Sequence, residues 1–215
     1  MRCPDGTEIS SAADLVYLGS LISEDGSGGS ELSRRIGIAH SEFRALSRLW
    51  RHSTLGRQRK LELFQSLILS KLLYGLAATW LNAKGKRKLD GFHNRCLQSI
   101  WGILPAYVSR TSNDTVLQLI SQRSLSTELK RQQLILYGRV ARLGDGDLTR
   151  DVTFCPGTLR PAADRYLRKV GRPRLDWTTE VGKLAVQVAG EGNLEAVVAD
   201  ESRWRNAVGN FLSNR

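Results

Sequence analysis

Two side chains three residues apart, His93 and Cys96, have the spacing best suited to chemistry in this chain. A helix places positions i and i+3 side by side, and imidazole and thiolate both ligate metals. A zinc site needs more than two protein ligands, and no second pair stands near. Cys3 and Cys155 lie far away, and no Cys-x-x-Cys occurs. The pair therefore reads as a partly buried cysteine beside an ordinary histidine, and neither a metal nor a cofactor is expected. His40, His52 and His93 sit in no Ser-Gly or Asp pattern that would suggest a nucleophilic triad. No Gly-x-x-x-x-Gly-Lys phosphate cradle occurs.

The cations offer a different chemistry. The chain has 215 residues, with 32 Lys and Arg against 21 Asp and Glu, a formal charge of +11. Such a balance favours a polyanionic partner, nucleic acid before anionic membrane. On a helix of 100° per residue, Leu32, Ile36, Ala39, Phe43, Leu46 and Trp50 fall on one face. Arg34, Arg44, Arg48 and Arg51 fall opposite, and no acid occurs between Phe43 and Leu61. This stripe is either a phosphate-contacting face or a solvated one; the missing acids argue against internal pairing. Lys84, Lys86, Arg87 and Lys88 form a basic turn. Arg172 and Arg174 flank Pro173, which biases Arg172 toward an extended backbone. That shape suits insertion into a minor groove; the ordinary alternative is a solvated linker.

The elements that must position these residues centre on Leu67 to Leu81, fifteen mostly apolar residues expected to be buried all round. The stretch is too short to span a bilayer and contains Lys71, so no membrane span is expected. One helix is predicted over 58–82, starting near Thr54 or Arg57. Before it, 1–23 reads as strands and turns forming a hairpin, with Gly19 interrupting the run 15–22 as a bulge or close approach. Ser30 is the expected cap of the striped helix. After the buried helix, Leu89, Phe92, Cys96, Leu97 and Ile100 share a face, and the sequence 101–105 ends that helix. Helices are predicted over 114–121, 126–143, 176–188 and 193–212, with Lys130, Arg131, Arg139 and Arg142 exposed and 153–161 a loop. Scattered cysteines and no apolar signal region point to an intracellular location, nuclear or cytoplasmic, rather than secretion.

The series of motifs resembles one family. Tyr17-Leu18-Gly19-Ser20-x-Ile22-Ser23-x-Asp25-Gly26 is similar to the hairpin closing the palm of reverse transcriptases of LINE-type (non-LTR) retrotransposons. Arg35-Ile36, Ala39 and Phe43-x-x-Leu46 resemble the first thumb helix. Leu67-x-Leu69-Ser70-x-Leu72-Leu73-Tyr74-Gly75 with Thr79-Trp80, and Phe92-x-x-Arg95-Cys96-Leu97-x-x-Ile100-x-Gly102-Ile103, are similar to later stretches of that family. So are Arg131-x-x-x-Leu134-x-x-Tyr137-Gly138-x-Val140, with Arg139 where His is usual, Gly171-Arg172-Pro173-Arg174-x-x-Trp177, and Asp200-x-x-Arg203-Trp204-Arg205. Polymerases of this family depend on palm carboxylates holding two metal ions. This chain has no Asp-Asp pair and begins after the place where the resemblance would put one, so the resemblance implies no nucleotide transfer.

The expectation is a mainly α protein: a thumb-like helical bundle with a small N-terminal β-hairpin and a C-terminal helical extension. Its divisions are a hairpin remnant over 1–25, a thumb-like domain over 26–112, a helical segment over 113–150, a basic linker over 151–175 and terminal helices over 176–215. The expected function is non-catalytic, sequence-independent binding of RNA or DNA duplex through backbone phosphates. The alternatives are the tail of a truncated RNA-directed DNA polymerase, a basic helical interaction module, and a decayed element without selected function.

Overall fold

A computed structural model describes residues 12–24, 28–162, 176–190 and 192–213. The protein is mainly α, with one two-stranded antiparallel sheet at its N-terminal end. Strands β1 (Asp14–Tyr17) and β2 (Ser20–Ser23) pair with Tyr17 opposite Ser20. The two residues between them, Leu18 and Gly19, have φ of +48° and +78°, as a two-residue hairpin turn requires. Gly19 is thus the turn itself and not a bulge, and the hairpin is complete within 14–23. The part of the expected hairpin region before residue 12 lies outside the described residues.

Helix α1 (Gly29–Arg51) follows, with Gly28 rather than Ser30 at its N-cap. A side chain at Gly28 would press on Thr79 and Leu81, so close approach explains the residue. Leu32, Ala39, Phe43 and Trp50 are buried and Ile36 and Leu46 pack beside them, as the periodicity predicts.

The next helical stretch starts at Arg57, in helix α2 (Arg57–Phe64). It continues through a π-helical turn, Gln65–Leu69, into helix α3 (Ser70–Leu73). It then stops, well short of the expected residue 82. Tyr74 leaves the helical region and Gly75 adopts φ +76°. A Cβ at Gly75 would also collide with the Ser20 hydroxyl. A single 3-10 turn, Leu76–Ala78, leads onward. Burial is one-sided rather than all round: Ile68, Leu72 and Leu76 are buried, while Leu67 is 44% and Tyr74 56% exposed.

Helix α4 (Ala83–Trp101) is capped by the Asn82 side chain and ended by Gly102 at φ +71°. The cations at 84–88 therefore occupy the first turns of a helix, not a turn between helices. Helices α5 (Ala106–Ser109) and α6 (Asn113–Leu119) are short. Helix α7 (Leu125–Ala141) joins the two halves of the molecule. Its Leu125 and Leu129 complete the core built by α1 to α4 and α6. Its Leu134, Tyr137 and Val140 begin a second core. Residues of the first core thus continue to Leu129, and those of the second begin at Leu134.

The second core is closed by Phe154, which follows helix α8 (Leu148–Thr153), and by helices α9 (Trp177–Ala189), α10 (Leu194–Ala199) and α11 (Glu201–Ser213). The sequence reading had no helix at α8, which Asp147 caps. It also had one helix where α10 and α11 stand. Asp200 leaves the helical region, and its carboxylate accepts from the backbone N–H of Ser202 and Arg203, starting a new helix. Trp204 is fully buried, and its indole N–H donates to the Leu134 carbonyl at 2.9 Å. A Cβ at Gly138 would run into that indole. Trp177 donates to the Ala77 carbonyl at 2.7 Å and Gln133 to that of Thr79 at 2.7 Å, tying the second core to the 3-10 turn.

Candidate nucleic-acid interface

The arginines of α1 fall into two groups. Near the N-terminus, Glu31 is buried and accepts from Arg34 Nε (2.8 Å), from Arg35 Nε and from the backbone N–H of Leu21 (3.0 Å). Arg35, also buried, donates to the carbonyls of Lys71 and Gly19, both at 2.8 Å. Its guanidinium lies 5.0 Å from the Tyr74 ring centre. Arg34 donates to the Gly19 carbonyl at 2.6 Å. Burial alone would raise the Glu31 carboxyl, but hydrogen bonds from Arg34, Leu21 and Arg35 outweigh it and hold the pKa below the usual range. This cluster is a socket that fixes the hairpin to α1 and α3. Arg34, expected on the phosphate face, has its guanidinium engaged there. This role of Glu31 is not among the expectations drawn from the sequence. The available signal was its spacing of three and four residues from two arginines.

Toward the C-terminus the picture reverses. Arg44, Arg48 and Arg51 are exposed, and none makes an ion pair or side-chain hydrogen bond with a described residue. Glu42, the nearest acid on the helix, pairs instead with Lys71 at 2.7 Å. Arg57, the first residue of α2, is also exposed. Arg59 is neutralised by Glu62 (2.7 Å), and Lys60 donates to the Trp50 carbonyl at the end of α1.

The second expected group stands on the first turns of α4. Lys84 is exposed and free of partners among the described residues, and Arg87 makes only a 3.4 Å contact to the Ala83 carbonyl. Lys86 sits 3.8 Å over the Trp80 ring. Burial, and the positive charge of Lys130, push its pKa below the ordinary lysine value. Lys88 donates to Ser33 on α1 at 2.9 Å. Ser33 lies fifteen residues before Arg48, about 22 Å along the helix. The two basic groups are thus near opposite ends of α1 and do not merge. No acid occurs in the first turn of α4, where cations oppose the helix dipole. Arg172 and Arg174 lie outside the described residues.

Of the other basic candidates, Arg139 is exposed and Arg131 is paired with Glu128 (2.8 Å). Lys130 is only half-buried. Arg142 is largely covered and donates to the Val198 carbonyl (3.1 Å), so it anchors α10 rather than facing solvent. His93 and Cys96 are both buried. Burial pushes the imidazole down to about 4 and the thiol up to about 12. Among the described residues no three His, Cys, Asp or Glu side chains gather as a metal site, and no helix is long and apolar enough to cross a membrane. No protein-family model, curated protein or solved structure matches the chain.

Proposed function

We propose that this protein binds nucleic-acid duplexes without reading their sequence, through phosphate contacts, and performs no nucleotide transfer. The observation that carries the reading is that Arg44, Arg48 and Arg51 have no partner among the described residues. They share one exposed side of a long helix whose other side is anchored in the core. Three neighbouring guanidinium groups without carboxylate partners among the described residues, on a chain of charge +11, are a strong local positive field. Arginine donates in a planar fork that matches phosphate oxygens. Lys84 and Arg87 stand near the other end of α1, roughly 22 Å along the helix from Arg48, so the reading places the duplex parallel to α1. The resemblance to the thumb of LINE-type reverse transcriptases supports the same chemistry, since a thumb grips a primer–template by its backbone.

The test is a titration of the purified chain against unrelated DNA and RNA duplexes over a range of salt. Log affinity is expected to fall linearly with log salt at a slope of about −0.9 per phosphate contacted, and to be alike for all sequences. Salt-independent binding, or none, overturns the reading. Primer extension with Mg²⁺ or Mn²⁺ above background would overturn its non-catalytic part.

A second reading, as the tail of an RNA-directed DNA polymerase, is favoured by the hairpin. Leu15, Val16, Tyr17, Leu18 and Ile22 are each more than half exposed, an arrangement suited to a larger sheet. An upstream open frame carrying paired aspartates would support it, and a frame closed immediately upstream would remove it.

A further inference from the structure

Beside the basic faces, a groove of about 480 Å³ opens between the π-helical turn, α4, the residues 121–123 and the start of α7. Its size is that of a small-ligand site. Leu69, Leu73 and Leu125 give it apolar walls, while Gln65, Gln122 and Gln132 give it amides. The Gln65 side-chain amide donates to the side-chain amide oxygen of Gln122 at 2.8 Å across a sequence gap of 57 residues, so the two amides are held in place.

Three irregularities converge on this groove. The wall containing Gln65 and Leu69 is a π-helical turn, a local distortion often found at functional sites. Ser121 has φ +54°, uncommon for a residue other than glycine. His93, only 2% exposed, lines the groove, and its Nδ1 is buried with no hydrogen-bond partner among the described residues. A buried polar atom left unpaired carries a desolvation cost. The imidazole ring is held by stacking on Phe64, with centroids 6.1 Å apart and planes 12° from parallel.

The lining selects the ligand's chemistry. The imidazole is neutral, because burial lowers its pKa to about 4. Arg123 and Glu128 bring one charge of each sign, and Glu128 is already bonded to Arg131. The interior therefore suits an uncharged polar group rather than a phosphate. Apolar walls set against amides and an imidazole fit a flat heterocycle, whose faces are apolar and whose edges donate and accept. Exposed Arg123 stands where an attached phosphate could meet a cation.

We infer that this groove holds one unpaired nucleobase, as a free nucleotide or as the unpaired end of a strand; the choice of nucleic-acid ligand rests on the function proposed above. Single-stranded bases are recognised in this way, by splaying out and bonding through their edges.

The experiment compares a blunt duplex with the same duplex bearing a three-nucleotide overhang, and adds a titration with nucleoside monophosphates monitored by the imidazole ¹⁵N resonances of His93. The full chain is used throughout. The overhang is expected to tighten binding about tenfold, the size expected from a few net hydrogen bonds. The double variant Gln65→Leu/Gln132→Leu should lose that gain while binding blunt duplex as before. Shifts of His93 on adding monophosphate, absent in the double variant, would identify the free nucleotide as a ligand. The inference is overturned if the overhang gives no gain or the gain survives in the variant, and monophosphates leave His93 unmoved. Loss of blunt-duplex binding in the wild-type chain would instead overturn the phosphate-contact reading, and the monophosphate titration would then decide the groove alone.

Discussion

The two ends of α1 use the same residue type for opposite purposes. At one end Arg34 and Arg35 are drawn inward by one buried carboxylate and by backbone carbonyls of the hairpin and α3. At the other end Arg44, Arg48 and Arg51 meet no partner among the described residues and face solvent. The difference lies in the neighbouring acids. Glu31 stands at i−3 and i−4 from the first pair, where a helix brings side chains together. Glu42 stands close to the second group but is taken by Lys71. A basic residue on a helix face thus says little about function until its possible acceptors have been assigned.

Removing Glu31 should break the comparison most severely. Glu31→Gln keeps an acceptor for the Leu21 N–H but leaves Arg35 charged and buried. Breaking a buried ion pair by removing one partner costs about 3–5 kcal/mol, a large part of a domain's roughly 5–15 kcal/mol. Chemical denaturation should show that loss, with the hairpin amides exchanging faster. A variant of unchanged stability would mean that the socket does not hold the N-terminal end.

Acid should act in two stages. The His93 imidazole, at about 4 in the fold against 6.5 when free, resists protonation that the unfolded chain accepts. Stability therefore falls as the pH drops from about 6.5 to 4, by roughly 3 kcal/mol. Glu31 is shifted below its ordinary 4.5, so its contribution is present above that value and is lost as the pH falls further. His93→Gln should flatten the first stage and spare the second. Melting measured across pH 3 to 8 decides this, and a single stage below pH 4.5 would show that His93 is not held neutral by burial.

Much of the fold was legible. The buried faces of α1 and α4 follow from apolar residues at helical spacing, and Gly102 ends α4 as an end signal should. What failed was continuity. Leu67 to Leu81 was read as one helix because its residues are apolar, yet Gly75 must approach Ser20, which lies 55 residues earlier and which no local pattern announces. Asp200 was similarly absorbed into a long helix, although its side chain caps α11. For the candidate site, the exposed positions of Arg44, Arg48 and Arg51 were legible from periodicity. The engagement of Arg34 was not, since it depends on the Gly19 carbonyl of a separately folded turn. The groove at His93 was equally hidden, being assembled from four elements spread between Gln65 and Gln132.

Arg34→Gln gives a smaller and sharper test. Its side chain is 31% exposed, so the ion pair is partly screened and its loss should cost only about 1 kcal/mol. If its guanidinium belongs to the socket, duplex affinity and salt slope should match the wild-type chain. A flatter slope would return Arg34 to the phosphate face and erase the distinction between the two ends.

The smallest effect on the fold, and the decisive one for function, is expected from changing Arg44, Arg48 and Arg51 together to Gln. None of the three makes an ion pair or side-chain hydrogen bond with a described residue. Arg48 and Arg51 lie in the last turn of α1, where an exposed cation contributes only about 0.3 kcal/mol to the helix at the low end of the usual range. Glutamine has nearly the same helix propensity as arginine. The variant should therefore melt within a few degrees of the wild-type chain, with an unchanged circular-dichroism spectrum. Each lost phosphate contact removes about 0.9 from the slope of log affinity against log salt for B-form DNA. Loss of all three should flatten it by about two to three and weaken binding to every duplex alike. If the three cations are merely solvated and close the helix electrostatically, the same titration will show the wild-type slope. A loss confined to one sequence would mean that this end of α1 reads base edges, and the phosphate-only reading would fall.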